Sequence, residues 1–184
     1  MDALSTSVIT VALAEIGDKT QLLTLLLATR FKARTALIAG ILLATLVNHG
    51  ISAWLGSYVD TLLPDDLATW LVGLSFIAVG FWLLVPDKEE ATTGRFDKFG
   101  AFFATFILFS VAELGDKTQV ATVLLGAEYQ HVIAVTIGTT IGMLLANVPV
   151  IFLGEKLLRQ LPVKQVHRVA AALFIALGVA TLLW

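Results

Sequence analysis

Cysteine is absent from this chain of 184 residues, which excludes disulfides and thiolate metal sites. Histidine occurs three times, too sparsely for an imidazole-built zinc site. Charge is scarce as well: 14% of residues are charged, where a soluble domain carries about 25%. Apolar residues make up 58% of the chain. They fall into runs too long and too many for a soluble core, so an integral membrane protein is expected. The bilayer, and not a nucleic acid, is then the expected macromolecular partner. The net charge of −2 says little, because placement matters more than the sum. Met1-Asp2-Ala3-Leu4 offers no basic leader region, and the first apolar run carries Glu15 and Asp18, so that run is read as a mature span.

Six spans are expected, at about Leu4–Thr29, Thr35–Tyr58, Leu67–Val85, Phe99–Ala127, Val132–Leu153 and Gln165–Trp184. Each approaches or exceeds the ~20 residues needed to cross the hydrocarbon core. Pro149 predicts a kink in the fifth. The fold class is therefore all-α, a membrane protein of six transmembrane helices.

Within the first and fourth spans one heptapeptide occurs twice. Glu15-Ile16-Gly17-Asp18-Lys19-Thr20-Gln21 returns 98 residues later as Glu113-Leu114-Gly115-Asp116-Lys117-Thr118-Gln119. At the same offset Gly40 matches Gly138, Leu55-Gly56 matches Leu153-Gly154, and Pro64 matches Pro162. Phe76-Ile77-Ala78 and Gly80 match Phe174-Ile175-Ala176 and Gly178, with no gap anywhere. The chain reads as one three-span unit written twice, residues 1–86 and 99–184, joined by a mixed-charge linker at 87–98.

The turns after spans one, three and five carry ten Lys and Arg residues, and the opposite side carries none. By the positive-inside rule the basic side is cytoplasmic, so both termini face outward and the 87–98 linker faces inward. Three spans per unit place the second unit upside down relative to the first, a plan common among secondary transporters that bind near the midplane.

Ionisable groups inside a span cost at least ~2.5 kcal/mol each at the bilayer centre, so these twin stretches are the candidate site. In a regular helix Glu15, Asp18, Lys19 and Gln21 share one arc of about 160°, as do Glu113, Asp116, Lys117 and Gln119. Thr20 and Thr118 point away from it unless the helix unwinds, and Gly17 and Gly115 permit that. Four carboxylates and two ammonium groups leave a deficit of two charges. One divalent cation or two protons would cancel it, which suggests exchange of one for the other. The ligand set is all oxygen: Glu15, Asp18, Gln21, Glu113, Asp116 and Gln119. It suits Ca²⁺, Mn²⁺ or Mg²⁺. Lys19 and Lys117, each four residues from its own Glu, are candidate counter-ions or gating groups together with Thr20 and Thr118. Asn48, His49 and Asn147 lie mid-span and are candidate pathway residues; buried amides also simply bridge helices. His131 and His167 are assigned to turns without chemistry, and Trp70 and Trp184 to the membrane interface. Rival readings are a packing role for the ion pairs, an exporter of basic amino acids or another small solute, and an intramembrane carboxylate hydrolase. The last needs unequal surroundings for an acid and a base, which two near-identical copies do not suggest.

The paired Glu-x-Gly-Asp-Lys-Thr stretches resemble the E-x-G-D-[KR]-[ST] signatures of the Gdt-type cation exchangers, and the resemblance covers essentially the whole chain. It implies six spans in two inverted units, and transport of Mn²⁺ and Ca²⁺ in exchange for protons, with no retained cofactor and no enzymatic activity. It implies a cation-binding role for Glu15, Asp18, Glu113 and Asp116. The short linker and short N-terminus resemble prokaryotic members, which implies a multi-pass protein of the plasma membrane exporting manganese from the cytoplasm.

Overall fold

Hydrocarbon offers no partner to a peptide group, so an apolar chain must close its backbone hydrogen bonds within each segment, and helices result. The computed structural model describes residues 2–85, 99–154, 156 and 160–183; these are helical, with no strand among them. The helices are α1 (Ala3–Glu15), α2 (Lys19–Arg30), α3 (Arg34–Leu62), α4 (Asp65–Trp82), α5 (Gly100–Glu113), α6 (Lys117–Tyr129), α7 (Val132–Leu153) and α8 (Val163–Leu183). The expected linker at 87–98, with Pro86 before it, and the interface residue Trp184 lie outside the described residues.

The first and fourth spans, expected as continuous runs, are each broken in two at the repeated motif. The halves α1 and α2 have 13 and 12 residues, and α5 and α6 have 14 and 13. At 1.5 Å per residue each half is about 20 Å long, short of the ~30 Å hydrocarbon core. Among the described residues, three helical stretches are long and apolar enough to cross a membrane unaided: Arg34–Tyr58, Val132–Leu153 and Val163–Leu183. The helix α7 runs on through Pro149. His167, assigned to a turn from the sequence, lies inside α8, which runs from Val163 to Leu183.

Glycines set the close approaches. The half-helix α1 lies parallel to α7, where a Cβ at Gly138 or at Gly142 would stand 2.7 Å from the carbonyl oxygen of Leu4 or of Val8. The half-helix α5 lies parallel to α3 in the same way, with Gly40 against Thr105 and the Phe102 carbonyl. Helices α4 and α8 pack antiparallel: Gly73 meets Gly178, Gly80 meets Ala171, and the buried rings of Phe76 and Phe174 stand 6.1 Å apart. Under a shift of 98 residues the first two contacts exchange with each other, and the third maps onto itself. Large apolar side chains such as Trp70, Ile133 and Leu183 remain on the outer surface, as expected of a chain surrounded by lipid.

The packing is not equal at the two ends. Helix α6 presses on α3 so closely that a Cβ at Gly56 would collide with the Val123 carbonyl, and one at Gly126 with Ala53. The pair equivalent to Gly56 and Val123 is Gly154 and Leu25, where the nearest side-chain atom stands 3.9 Å off. The α4 and α8 pair leans on α6 and α1, and makes no comparable contact with α2 or α5 among the described residues. Tyr129 closes the tight end by donating to the Thr6 hydroxyl at 3.1 Å.

Gly56→Ala is expected to destabilise the protein by about 1–3 kcal/mol through overpacking against α6. Gly50→Ala is expected to be neutral or stabilising, since its nearest neighbour is Thr136 Cγ2 at 3.7 Å. Thermal unfolding in detergent measures both.

Candidate functional site

Each motif breaks its span in the same way. Glu15 and Glu113 are the last residues of α1 and α5, while Asp18 and Asp116 are the N-caps of α2 and α6. Between them Gly17 and Gly115 take φ values of +83° and +72°, a region open to glycine and strained for other residues. Unwinding leaves the glycine N–H without a helical acceptor, and a buried orphan donor is costly. The motif glutamine supplies the acceptor: Gln21 Oε1 takes Gly17 N–H at 2.8 Å, and Gln119 Oε1 takes Gly115 N–H at 2.6 Å. The break also turns Thr20 inward, so that its hydroxyl donates to Glu15 Oε2. A continuous helix would have pointed Thr20 away from the acids.

The two breaks meet. Glu15, Asp18 and Asp116 offer carboxylate oxygens that all lie within 4.8 Å of one another, and all three residues are buried. Lys19 reaches across to the other motif, with Nζ 3.7 Å from Asp116 Oδ1. Asp116 Oδ1 also accepts from Lys117 N–H at 2.7 Å. Glu15 Oε1 and Thr118 Oγ1 are buried with no hydrogen-bond partner.

The fourth acid has different company. Glu113 Oε1 accepts from the Thr45 hydroxyl at 3.0 Å, and Oε2 from Asn48 Nδ2 at 2.9 Å. His49 Nε2 stands 4.0 Å from Oε2. Asn48 and His49, the expected pathway residues of α3, thus surround Glu113. Asn147 lies elsewhere: its Oδ1 accepts from Thr24 at 2.6 Å, and its amide donates to the Met143 carbonyl at 3.2 Å. With Gln21 Nε2 bonded to the Ala146 carbonyl at 2.7 Å, this ties α2 to α7. Lys117 Nζ donates to the Val85 carbonyl at 2.7 Å.

Sequence reasoning missed Thr45, Thr24 and His167. Thr45 had a signal: with Asn48, His49 and Ser52 it forms a buried polar stripe at helical spacing within a hydrophobic span. His167 had none, because Nε2 meets the Ile16 carbonyl at 2.8 Å across 151 residues. That carbonyl lies in the first break, which α8 covers through Val163 against Gly17.

The profile of a family described as "Divalent cation/proton antiporter GDT1" matches residues 3–91 and 101–184. A Vibrio cholerae serotype O1 protein named "Putative manganese exporter" is 48% identical, with 98% of this chain and 90% of that protein aligned. "GDT1-like protein 3" of Arabidopsis thaliana is 28% identical over 98% of this chain and 70% of its own length. "GDT1-like protein 3" of Oryza sativa subsp. indica is 26% identical over 98% and 73%. No solved structure matches the chain significantly.

The glutamine cap yields a prediction that does not depend on any ligand. Gln21→Leu strands the Gly17 N–H and cuts the tie to α7, and should cost the empty protein about 1–3 kcal/mol in a thermal unfolding scan. Unchanged stability would show that the break holds itself.

Proposed function

Since this chain belongs to the divalent cation/proton antiporter family GDT1, and is thus a membrane transporter of divalent cations and not an enzyme, we propose that it exports Mn²⁺, and Ca²⁺ second, from the cytoplasm in exchange for protons. The observation that carries the reading is the buried cluster of Glu15, Asp18 and Asp116 with Lys19 beside it. Three carboxylates against one ammonium leave the charge that a single divalent cation cancels. Acids gathered this closely in a buried site repel one another and are costly to keep charged, and a bound cation relieves that. The donors are oxygens, which suits Mn²⁺ and Ca²⁺ as hard cargo. Manganese is placed first because the Vibrio cholerae relative carries that metal in its name. Protons are the natural exchange partner, because the same carboxylates can be neutralised either by cation or by protonation.

The proposed architecture has six crossings, with each broken pair counted as one, arranged as two inverted three-span units. The antiparallel contacts of α4 with α8, which exchange under the shift of 98 residues, support it. The basic turns argue for both termini outside, the 87–98 linker in the cytoplasm, and a plasma membrane of prokaryotic type. The unequal ends support alternating access. In this orientation the α1 and α6 end is outer and sealed, while the α2 and α5 end is inner and loosely packed. The opposite state would bring Leu25 down onto Gly154 and lift Val123 off Gly56, each half gating in turn.

Purified protein in liposomes with an imposed pH gradient tests the exchange. Mn²⁺ flux should follow the gradient and move protons the opposite way; flux indifferent to the gradient, with no pH response, removes proton coupling. Glu15→Gln and Asp116→Asn should each reduce Mn²⁺ flux by about 100-fold or more, taking a charged ligand as worth ~3 kcal/mol, while the protein still inserts. Wild-type flux in either variant would mean that the cargo is held elsewhere.

A further inference from the structure

We infer that Thr45 and Asn48 are positioning residues that hold the Glu113 carboxylate out of the cation's coordination, which leaves Glu15 as the glutamate that binds the cation. This rests on the proposed site. The twin motifs are nearly identical, but the walls behind them are not. Helix α3 backs α5 as α7 backs α1, and the shift of 98 residues carries Thr45 to Met143, Asn48 to Ala146 and His49 to Asn147. Met143 and Ala146 have no side-chain donor to offer. Asn147 is turned instead toward Thr24 and the Met143 carbonyl.

The consequence is visible at the two carboxylates. Both oxygens of Glu113 accept hydrogen bonds from neutral groups of α3, at 3.0 and 2.9 Å. Asn48 is itself fixed, since its amide also donates to the Ser110 carbonyl at 3.1 Å. Glu15 is as deeply buried and takes the Thr20 hydroxyl on Oε2; the Thr118 hydroxyl of the opposing motif stands close to this carboxylate, but Oε1 makes no full hydrogen bond and receives none from the helix behind it. A buried carboxylate oxygen without donors carries the full desolvation cost and gains most from a cation. One whose lone pairs are already met gains less, and must break bonds to join. Glu15 also sits within the three-acid cluster, beside Asp18 and Asp116. Duplication therefore produced two copies of a ligand motif, and the substitutions on α3 and α7 gave the two glutamates different tasks.

The test compares Mn²⁺ affinity at equilibrium in the full-length protein, with Glu15→Gln and Glu113→Gln placed in two backgrounds. In the native background Glu15→Gln should weaken binding about tenfold more than Glu113→Gln does. In the Thr45→Val/Asn48→Leu background, which keeps shape and removes both donors, Glu113 is released to ligate, and the gap should close to about threefold or less. A fold defect alone would weaken both variants together and leave their ratio unchanged, and an unchanged ratio overturns the inference. Equal losses in the native background overturn it as well. If neither Gln variant alters Mn²⁺ affinity in either background, the proposed site itself fails and takes the inference with it. Should the double background not fold, Thr45→Val alone frees Oε1 and should narrow the gap by about half on a logarithmic scale; no narrowing there is equally decisive against it.

Discussion

Carboxylates cannot stay charged inside a membrane protein without company, and this fold is arranged around supplying that company. Three of the four motif acids share one buried cluster, where Lys19 of the first motif reaches Asp116 of the second. The fourth is satisfied by hydrogen bonds from a neighbouring helix. In the proposed reading, a divalent cation supplies the positive charge that turns this costly gathering of buried acids into a binding site.

The backbone solves the same problem in its own terms. To bring Glu15 and Asp18 to one place, the span must stop being a helix for three residues. Glycine makes the reversal possible, aspartate stands at the N-cap position of the helix that restarts, and glutamine takes up the stranded N–H. Non-helical backbone at this depth is tolerated only where protein covers it. At the first break that cover is the start of α8, through Val163 and His167. The motif is therefore as much a recipe for a broken helix as a set of ligands.

Two nearly identical motifs do not make a symmetric molecule. At the tight end Gly56 is jammed against α6, while its counterpart Gly154 has only a Leu25 side-chain atom 3.9 Å from where a Cβ would stand. Such a difference between equivalent positions is one of conformation, since both are glycine. The difference between Thr45 and Met143, or Asn48 and Ala146, is one of chemistry and stays with the chain in every conformation. In the proposed mechanism the first kind of asymmetry reverses during transport, whereas the second underlies the lasting roles inferred for Glu15 and Glu113.

The helical class, the doubled unit and the residues of the cluster were legible in the sequence, because each rests on local or periodic physics. Long apolar runs must become helices in lipid. A heptapeptide with three ionisable groups has no place in a core, and a repeat with no gaps announces itself. Lys19 near Asp116, Thr45 on Glu113 and His167 on Ile16 were not legible, and neither was the split of each motif-bearing span into two helices. These contacts join residues 68 to 151 positions apart in the bonds at Glu113 and Ile16, and no spacing rule reaches so far. Composition and periodicity settled what kinds of group would be buried. Only the packing of α3 behind α5 and of α7 behind α1 decided which carboxylate would be met by donors and which left wanting, because hydrogen bonds depend on where side chains meet in space and not on their order along the chain.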